Sequence, residues 1–302
     1  MLQIIKYKWL YLIFSTVLLI PGIISLIVFH LDLAIDFTGG AVFRYTFSGN
    51  VDETQLKEVF TQQGVSVVAI SKDNAGYVIK AKEVDPARNN AIKTAVSQKF
   101  TDLNAQEVSF ETVGPAIGGE TTKKAFIALF WAMVGILVYI AYAFRNIPKP
   151  YSSVRFGASA ILAMFHDAFM VLGLFSLLGH FAHIEVDALF ITALLTVIGF
   201  SVHDTIVVFD RIRENLGKLS RSMGFADIVN YSVVETLGRS FATSLTVLIT
   251  LFALFVLGGA TIKTFVLAML IGIASGTYSS IFTASPILVI WEEWVSKRKQ
   301  VR

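Results

Sequence analysis

Six long apolar stretches run along the chain, at 9–29, 125–144, 156–179, 188–209, 240–262 and 264–290. Each is at or above the length of about 20 residues that a helix needs to cross the hydrocarbon of a bilayer. The first, second, fifth and sixth hold no charged residue, and Lys263 stands between the last two. The third and fourth each carry one His-Asp pair, His166-Asp167 and His203-Asp204. Pro21-Gly22 falls inside the first and Pro286 inside the sixth, kinks that neighbouring helices in lipid absorb. The pattern predicts an α-helical polytopic membrane protein of six spans, grouped as one and then five.

Residues 30–124 have a different rhythm. Ala41–Phe47 alternates apolar and polar positions, as a half-buried strand does. The segment 51–63 has helical spacing, with Leu56, Val59 and Phe60 on one face. Segments 65–70 and 76–81 read as two strands joined at Asp73-Asn74-Ala75-Gly76. The segment 86–100 is a second helix with Pro86 near its first turn, and 106–112 alternates again. The order β-α-β-β-α-β predicts an inserted α+β domain of ferredoxin-like type.

Charge sets the orientation. The chain is 55% hydrophobic and 16% charged, against about a quarter charged for a soluble domain. The deficit belongs to the apolar stretches, since 30–124 alone holds 10 Lys/Arg and 12 Asp/Glu. Outside that segment 14 Lys and Arg fall on one side of the six spans. They are Lys6 and Lys8, then Arg145, Lys149 and Arg155, then Arg211, Arg213, Lys218, Arg221 and Arg239, then Lys297, Arg298, Lys299 and Arg302. The opposite loops offer Lys263 alone. By the positive-inside rule both termini are cytoplasmic and 30–124 is extracytoplasmic. The first apolar stretch, at 21 residues, is too long for a cleaved signal peptide and reads as a retained anchor. The net charge of +3 is not a nucleic-acid footprint, because the basic residues flank apolar runs. With no Cys, thiolate metal sites, disulfides and thiol catalysis are excluded.

The long connection 211–239 is expected to be a cytoplasmic loop. It holds an amphipathic segment, with Phe225, Ile228, Val229, Ser232 and Val233 at helical spacing, suited to lying along the membrane face. A plain solvated connector is the alternative.

Ionisable groups inside a membrane are expensive and by default functional. Asp204 lies six residues before Asp210, hence about 9 Å below the interface. Burial and a nearby cation pull such a carboxylate in opposite senses, which suits a group that takes up and releases protons. Arg239 opens the fifth span and reaches toward Asp204 if the two helices pack; otherwise it snorkels to the interface. His203 is either a relay partner or a packed polar residue. His166 and Asp167, near the middle of the third span, fit structural hydrogen bonding and proton relay equally. Gly272 and Gly276 form a small-residue face for close helix packing. No P-loop, dinucleotide fingerprint, zinc-protease motif or nucleophile elbow is present, so work would draw on an ion gradient or a partner.

Five motifs, in order, carry a family resemblance. Ala34-Ile-Asp-Phe-Thr-Gly-Gly40 follows the first span and Val113-Gly-Pro-Ala-Ile-Gly118 precedes the second. The stretch 193–215 contains Ser-Val-His-Asp204-Thr, Arg239-Ser-Phe-Ala-Thr-Ser opens the fifth span, and Gly276-Thr-Tyr-Ser-Ser leads to Pro286 in the sixth. Together they resemble the SecF family of protein-export membrane subunits. The resemblance implies half of a proton-driven machine of the RND superfamily in the bacterial inner membrane. It implies SecD, YajC, the SecYEG channel, SecA and a translocating polypeptide as partners. It carries the family's intramembrane Asp onto Asp204 and its Arg onto Arg239. The residue before that Asp is commonly Asn in the family and is His203 here. Asp36, Gly39, Gly40, Gly114, Pro115 and Gly118 bracket the inserted domain and read either as shaped hinges or as tight turns. The expected function is proton-driven promotion of polypeptide export, with no covalent chemistry and hence no enzyme. No cofactor is expected, and the coupling ion is H⁺ or Na⁺, since a carboxylate serves both. A purely structural assembly subunit and a small-molecule exporter half are the rival readings.

Overall fold

The computed structural model describes residues 2–73, 76–82, 84–220 and 222–300. Asn74 and Ala75 at the expected turn, Arg221 and Arg302 lie outside them. The chain divides into two compact units, residues 33–126 and residues 1–32 with 127–302.

The smaller unit opens with a single helical turn, α2 (Ile35–Thr38), and then runs β1 (Gly40–Thr46), α3 (Glu53–Gln62), β2 (Val67–Asp73), β3 (Gly76–Ala81), α4 (Pro86–Lys99) and β4 (Gln106–Val113). The strands form one antiparallel sheet in the order β2-β3-β1-β4. This is the split β-α-β arrangement that the alternation predicts. Local chemistry starts both longer helices. The carboxylate of Asp52 accepts from Thr54 N at 2.8 Å, and that of Asp85 from Ala87 N at 2.9 Å. Such caps satisfy amides that the first turn leaves open. Phe43, Tyr45, Leu56, Phe60, Ile79, Ile92 and Val96 close the core between the sheet and α3 and α4.

The larger unit holds the membrane helices. They are α1 (Lys8–Val28), α5 (Pro115–Ala143, which begins in the smaller unit's segment), α6 (Ser153–Ala182), α7 (Ala188–Leu219), α8 (Phe225–Leu257) and α9 (Ala260–Ser279). A π-helical turn at Ser280–Ala284 then leads into α10 (Ser285–Gln300). Among the described residues six stretches are long and apolar enough to cross a membrane, the last being α9 and α10 taken together. Pro286 explains the π turn: its ring lacks an N–H and crowds the carbonyl four residues back, so the helix widens there.

Three expectations are corrected. The connection 211–239 is not a loop: α7 continues to Leu219 and α8 starts at Phe225. Its amphipathic face packs on α7 instead of lying on a membrane surface, with Ile228, Val229, Ser232 and Val233 all buried. Asn215 Nδ2 donates to Ser232 Oγ at 2.9 Å, and Arg211 pairs with Glu235. The second helix starts at Pro115, ten residues before the apolar stretch, because its first turns are polar yet helical. Lys297 and Arg298 of the basic C-terminal tail are helical, in the last turns of α10.

Glycines let helices touch. A Cβ on Gly173 of α6 would lie 2.6 Å from Gly22 Cα of α1, so neither position tolerates a side chain. Beside this crossing Ser25 and Ser176 hydrogen-bond at 2.8 Å. Gly272 of α9 rests against Val197 of α7, and Gly276 rests against Ser201.

Candidate functional site

The helix contacts at Gly272 and Gly276 hold α9 against α7, and from there Ser275 and Ser279 reach a carboxylate on α6. Asp167 on α6 is fully buried. Its Oδ2 accepts from Ser201 Oγ and Ser279 Oγ, both at 2.5 Å. Its Oδ1 accepts from Ser275 Oγ at 2.8 Å and lies 3.0 Å from His166 Nδ1. Four contacts from three helices therefore hold one carboxylate. Ser275 and Ser279, whose spacing reads as packing, act here as hydrogen-bond donors.

Asp204 on α7 is 6% exposed. Ser240 Oγ of α8 donates to its Oδ1 at 2.9 Å, while its Oδ2 has no hydrogen-bond partner among the described residues. Thr205 and Ser280 bond each other beside it at 3.0 Å. The two aspartates thus share a bundle interior but differ in what they have left to bind. Asp167 is saturated, and Asp204 keeps one buried oxygen open.

The structure does not pair Asp204 with Arg239. Arg239 is exposed, and its neighbour Ser240 takes the place facing α7. Successive residues on a helix point about 100° apart, so one residue of register separates a buried ion pair from a hydroxyl contact. A static Asp204–Arg239 pair is therefore not what this arrangement holds. His203 is exposed on the outside of α7, while His166 is buried against Asp167. Among the described residues, no group of three His, Asp or Glu side chains is placed to hold a metal ion.

Sequence reading missed one further charged pair. Arg155 Nε of α6 lies 2.9 Å from Glu292 Oε1 of α10, with both side chains nearly buried. The sequence signal was available, since Glu292 sits in the flank of the sixth stretch, but its partner is 137 positions away.

The residues that bracket the smaller unit come together within it. Gly39 has φ +70° and Gly40 φ +128°, whereas Gly114 is not among the positive-φ residues. A Cβ on Gly39 would lie 2.9 Å from Pro115 Cα, and one on Gly118 would lie 2.9 Å from Gly39 N. Gly40 pairs with Val113 across β1 and β4. Pro115 and Gly118 are in the first turns of α5, and Asp36 is in the first turn of α2. The entry and exit segments of the unit are thus pressed against each other where only glycine fits.

Comparison with known proteins gives a consistent result. The family described as protein export membrane protein SecD/SecF, C-terminal, matches residues 92–294, and the SecD/SecF GG motif matches 24–51. A protein translocase subunit SecF of Thermobaculum terrenum is 45% identical, over 97% of this chain and 94% of its own. One from Anaerolinea thermophila is 37% identical, over 97% and 96%. The crystal structure of SecDF from Thermus thermophilus, a translocon-associated membrane protein, superposes with a TM-score of 0.81 at 32% identity. That match covers 97% of this chain and 39% of the longer SecDF.

Proposed function

The chain belongs to the SecF family of protein translocase subunits, and from that premise we propose that it couples ion movement through its helix bundle to polypeptide export. The observation that carries the proposal is the open oxygen of Asp204 within a membrane span. A charged group in hydrocarbon is costly, so an acid whose remaining oxygen meets no donor is poised to take a proton. Protonation turns that oxygen from acceptor to donor. Thr205 and Ser280 stand beside it, on α7 and the π turn, so the two states favour different contacts between these elements. On the positive-inside rule both termini are read as cytoplasmic and residues 30–124 as outside, positioned to meet the emerging polypeptide. The glycine-rich junction at Gly39, Gly40 and Gly118 then serves as the hinge through which bundle and outer unit are coupled.

SecD is the partner we assign, because the Thermus relative carries a segment like this chain within a longer SecDF. YajC, SecYEG and SecA follow from the family resemblance. H⁺ is the coupling ion in this reading, and Na⁺ is its competitor. The chain makes and breaks no covalent bond.

The test uses inverted membrane vesicles with the complete translocation machinery and an imposed gradient. Asp204→Asn, which keeps the size and the Ser240 contact, should lose most gradient-stimulated export. Unchanged stimulation overturns the proposal. Imposing H⁺ and Na⁺ gradients separately identifies the ion.

A further inference from the structure

One face of α6 holds Arg155, Ser159 and His166. Steps of four and seven residues keep them within about 40° of one another around the helix. They are spaced by about 6 Å and about 10 Å along it. Ser159 is fully buried and His166 is 8% exposed, yet Ser159 Oγ and His166 Nε2 have no hydrogen-bond partner among the described residues. Buried polar atoms are almost always hydrogen-bonded, and where no protein group serves, water does. At the cytoplasmic end of the face, Arg155 pairs with Glu292 of α10. At its inner end, His166 Nδ1 contacts Asp167. The charge of Glu292 is felt in the connection before α6: burial, and then that charge, push the Tyr151 phenol up.

The geometry points to a hydrated file along this face of α6, running from the Arg155–Glu292 pair past Ser159 to His166, that carries protons between the cytoplasmic side and Asp167. This rests on the proton-coupled reading above. The gap between Ser159 and His166 is bridged by about three waters at hydrogen-bond spacing. His166 completes the file without changing its charge. Its Nε2 takes a proton from the last water, and its Nδ1 releases one toward the carboxylate of Asp167. Rotation of the imidazole between transfers then resets the tautomer. Glu292 stands at the mouth, where Arg155 holds it in place.

The chain contains no cysteine, so Ser159→Cys places a single thiol in it. Full-length variants co-assembled with the partner subunits, in inverted vesicles, are treated from the cytoplasmic side with a small charged methanethiosulfonate. Ala160→Cys, equally buried at the same depth but about 100° around the helix, is the control. A thiol reached by water reacts and one packed in apolar surroundings does not, so Ser159→Cys should react at least about tenfold faster. Equal rates, whether both slow or both fast, overturn the file. As a second measurement, Glu292→Gln should cut gradient-driven export several-fold at unchanged chain level while Glu292→Asp retains it; equal export by the two overturns the role of Glu292. The outcomes separate from those of Asp204→Asn. Loss of export in Asp204→Asn with no preferential Ser159→Cys labelling removes the file alone. Preferential labelling with normal export in Asp204→Asn removes the transport reading alone.

Discussion

Asp167 and Asp204 are both buried carboxylates in membrane spans, and their hydrogen bonds give them different work. Asp167 receives three serine hydroxyls and a histidine from two other helices and its own. Hydrogen bonds inside membrane proteins average about 0.6 kcal/mol and reach about 1.7. Removing one donor, as in Ser275→Ala, should therefore cost about 0.6 kcal/mol and leave the bundle assembled. Asp167→Ala strands all of them at once and should cost several times more. Thermal unfolding in detergent checks the ratio, and equal losses would count against Asp167 as the shared anchor. Asp204 takes one short bond, from Ser240, so its replacement should be felt in transport far more than in stability. These residues were legible in the sequence because a carboxylate in an apolar run stands out. The serines were not, because a hydroxyl in a membrane helix reads equally as packing or as a donor. Arg239 reads from the sequence either as a partner of Asp204 or as a snorkelling helix-end residue, and the helix register puts Ser240 against Asp204 and leaves Arg239 exposed.

At the scale of elements, the glycine contacts at Gly272 and Gly173 differ in what would relieve a substitution. Gly272 meets the side chain of Val197, which can be shortened, whereas Gly173 meets the backbone of Gly22, which cannot. Overpacking typically costs about 1–3 kcal/mol. Gly272→Ala should thus destabilise by that amount, and adding Val197→Ala should recover part of it. Gly173→Ala should have no such rescue among neighbouring side chains. Detergent stability of the two single variants and the double variant tests this, and equal behaviour of the two glycines would contradict it. The Gly272-x-x-x-Gly276 spacing was visible in the sequence, but Gly22 and Gly173 were not recognisable as partners, since each is one glycine in an apolar run 151 positions apart. The extension of α7 and α8 through 211–239 was missed for a related reason. Hydropathy marks where lipid ends, not where a helix ends, and Ile228, Val229 and Val233 continue α8 beyond the membrane by packing on α7.

At the scale of the whole molecule, two units with separate cores must act together if transport is to follow. Gly39 stands at the junction with φ +70° and no room for a Cβ beside Pro115. A residue forced to positive φ costs about 1–2 kcal/mol. Gly39→Ala should leave the chain inserted at near-normal level, because the clash is confined to the junction at Pro115 and does not reach the sheet core. Gradient-driven export should nevertheless fall, and normal export would show that the junction is only a turn. The sequence by itself determined the six apolar crossings, the β-α-β-β-α-β insertion and the presence of protonatable groups in the spans. These follow from periodicity and from the cost of charge in lipid, both of which are local. The tertiary structure alone decided which side chains meet: Asp167 with three serines, Asp204 with Ser240 and not Arg239, and Arg155 with Glu292. Those choices depend on helix register and crossing points set by distant glycines. The six crossings are therefore written in each segment of the chain, and the hydrogen bonds and ion pairs among them are written only in how the segments pack.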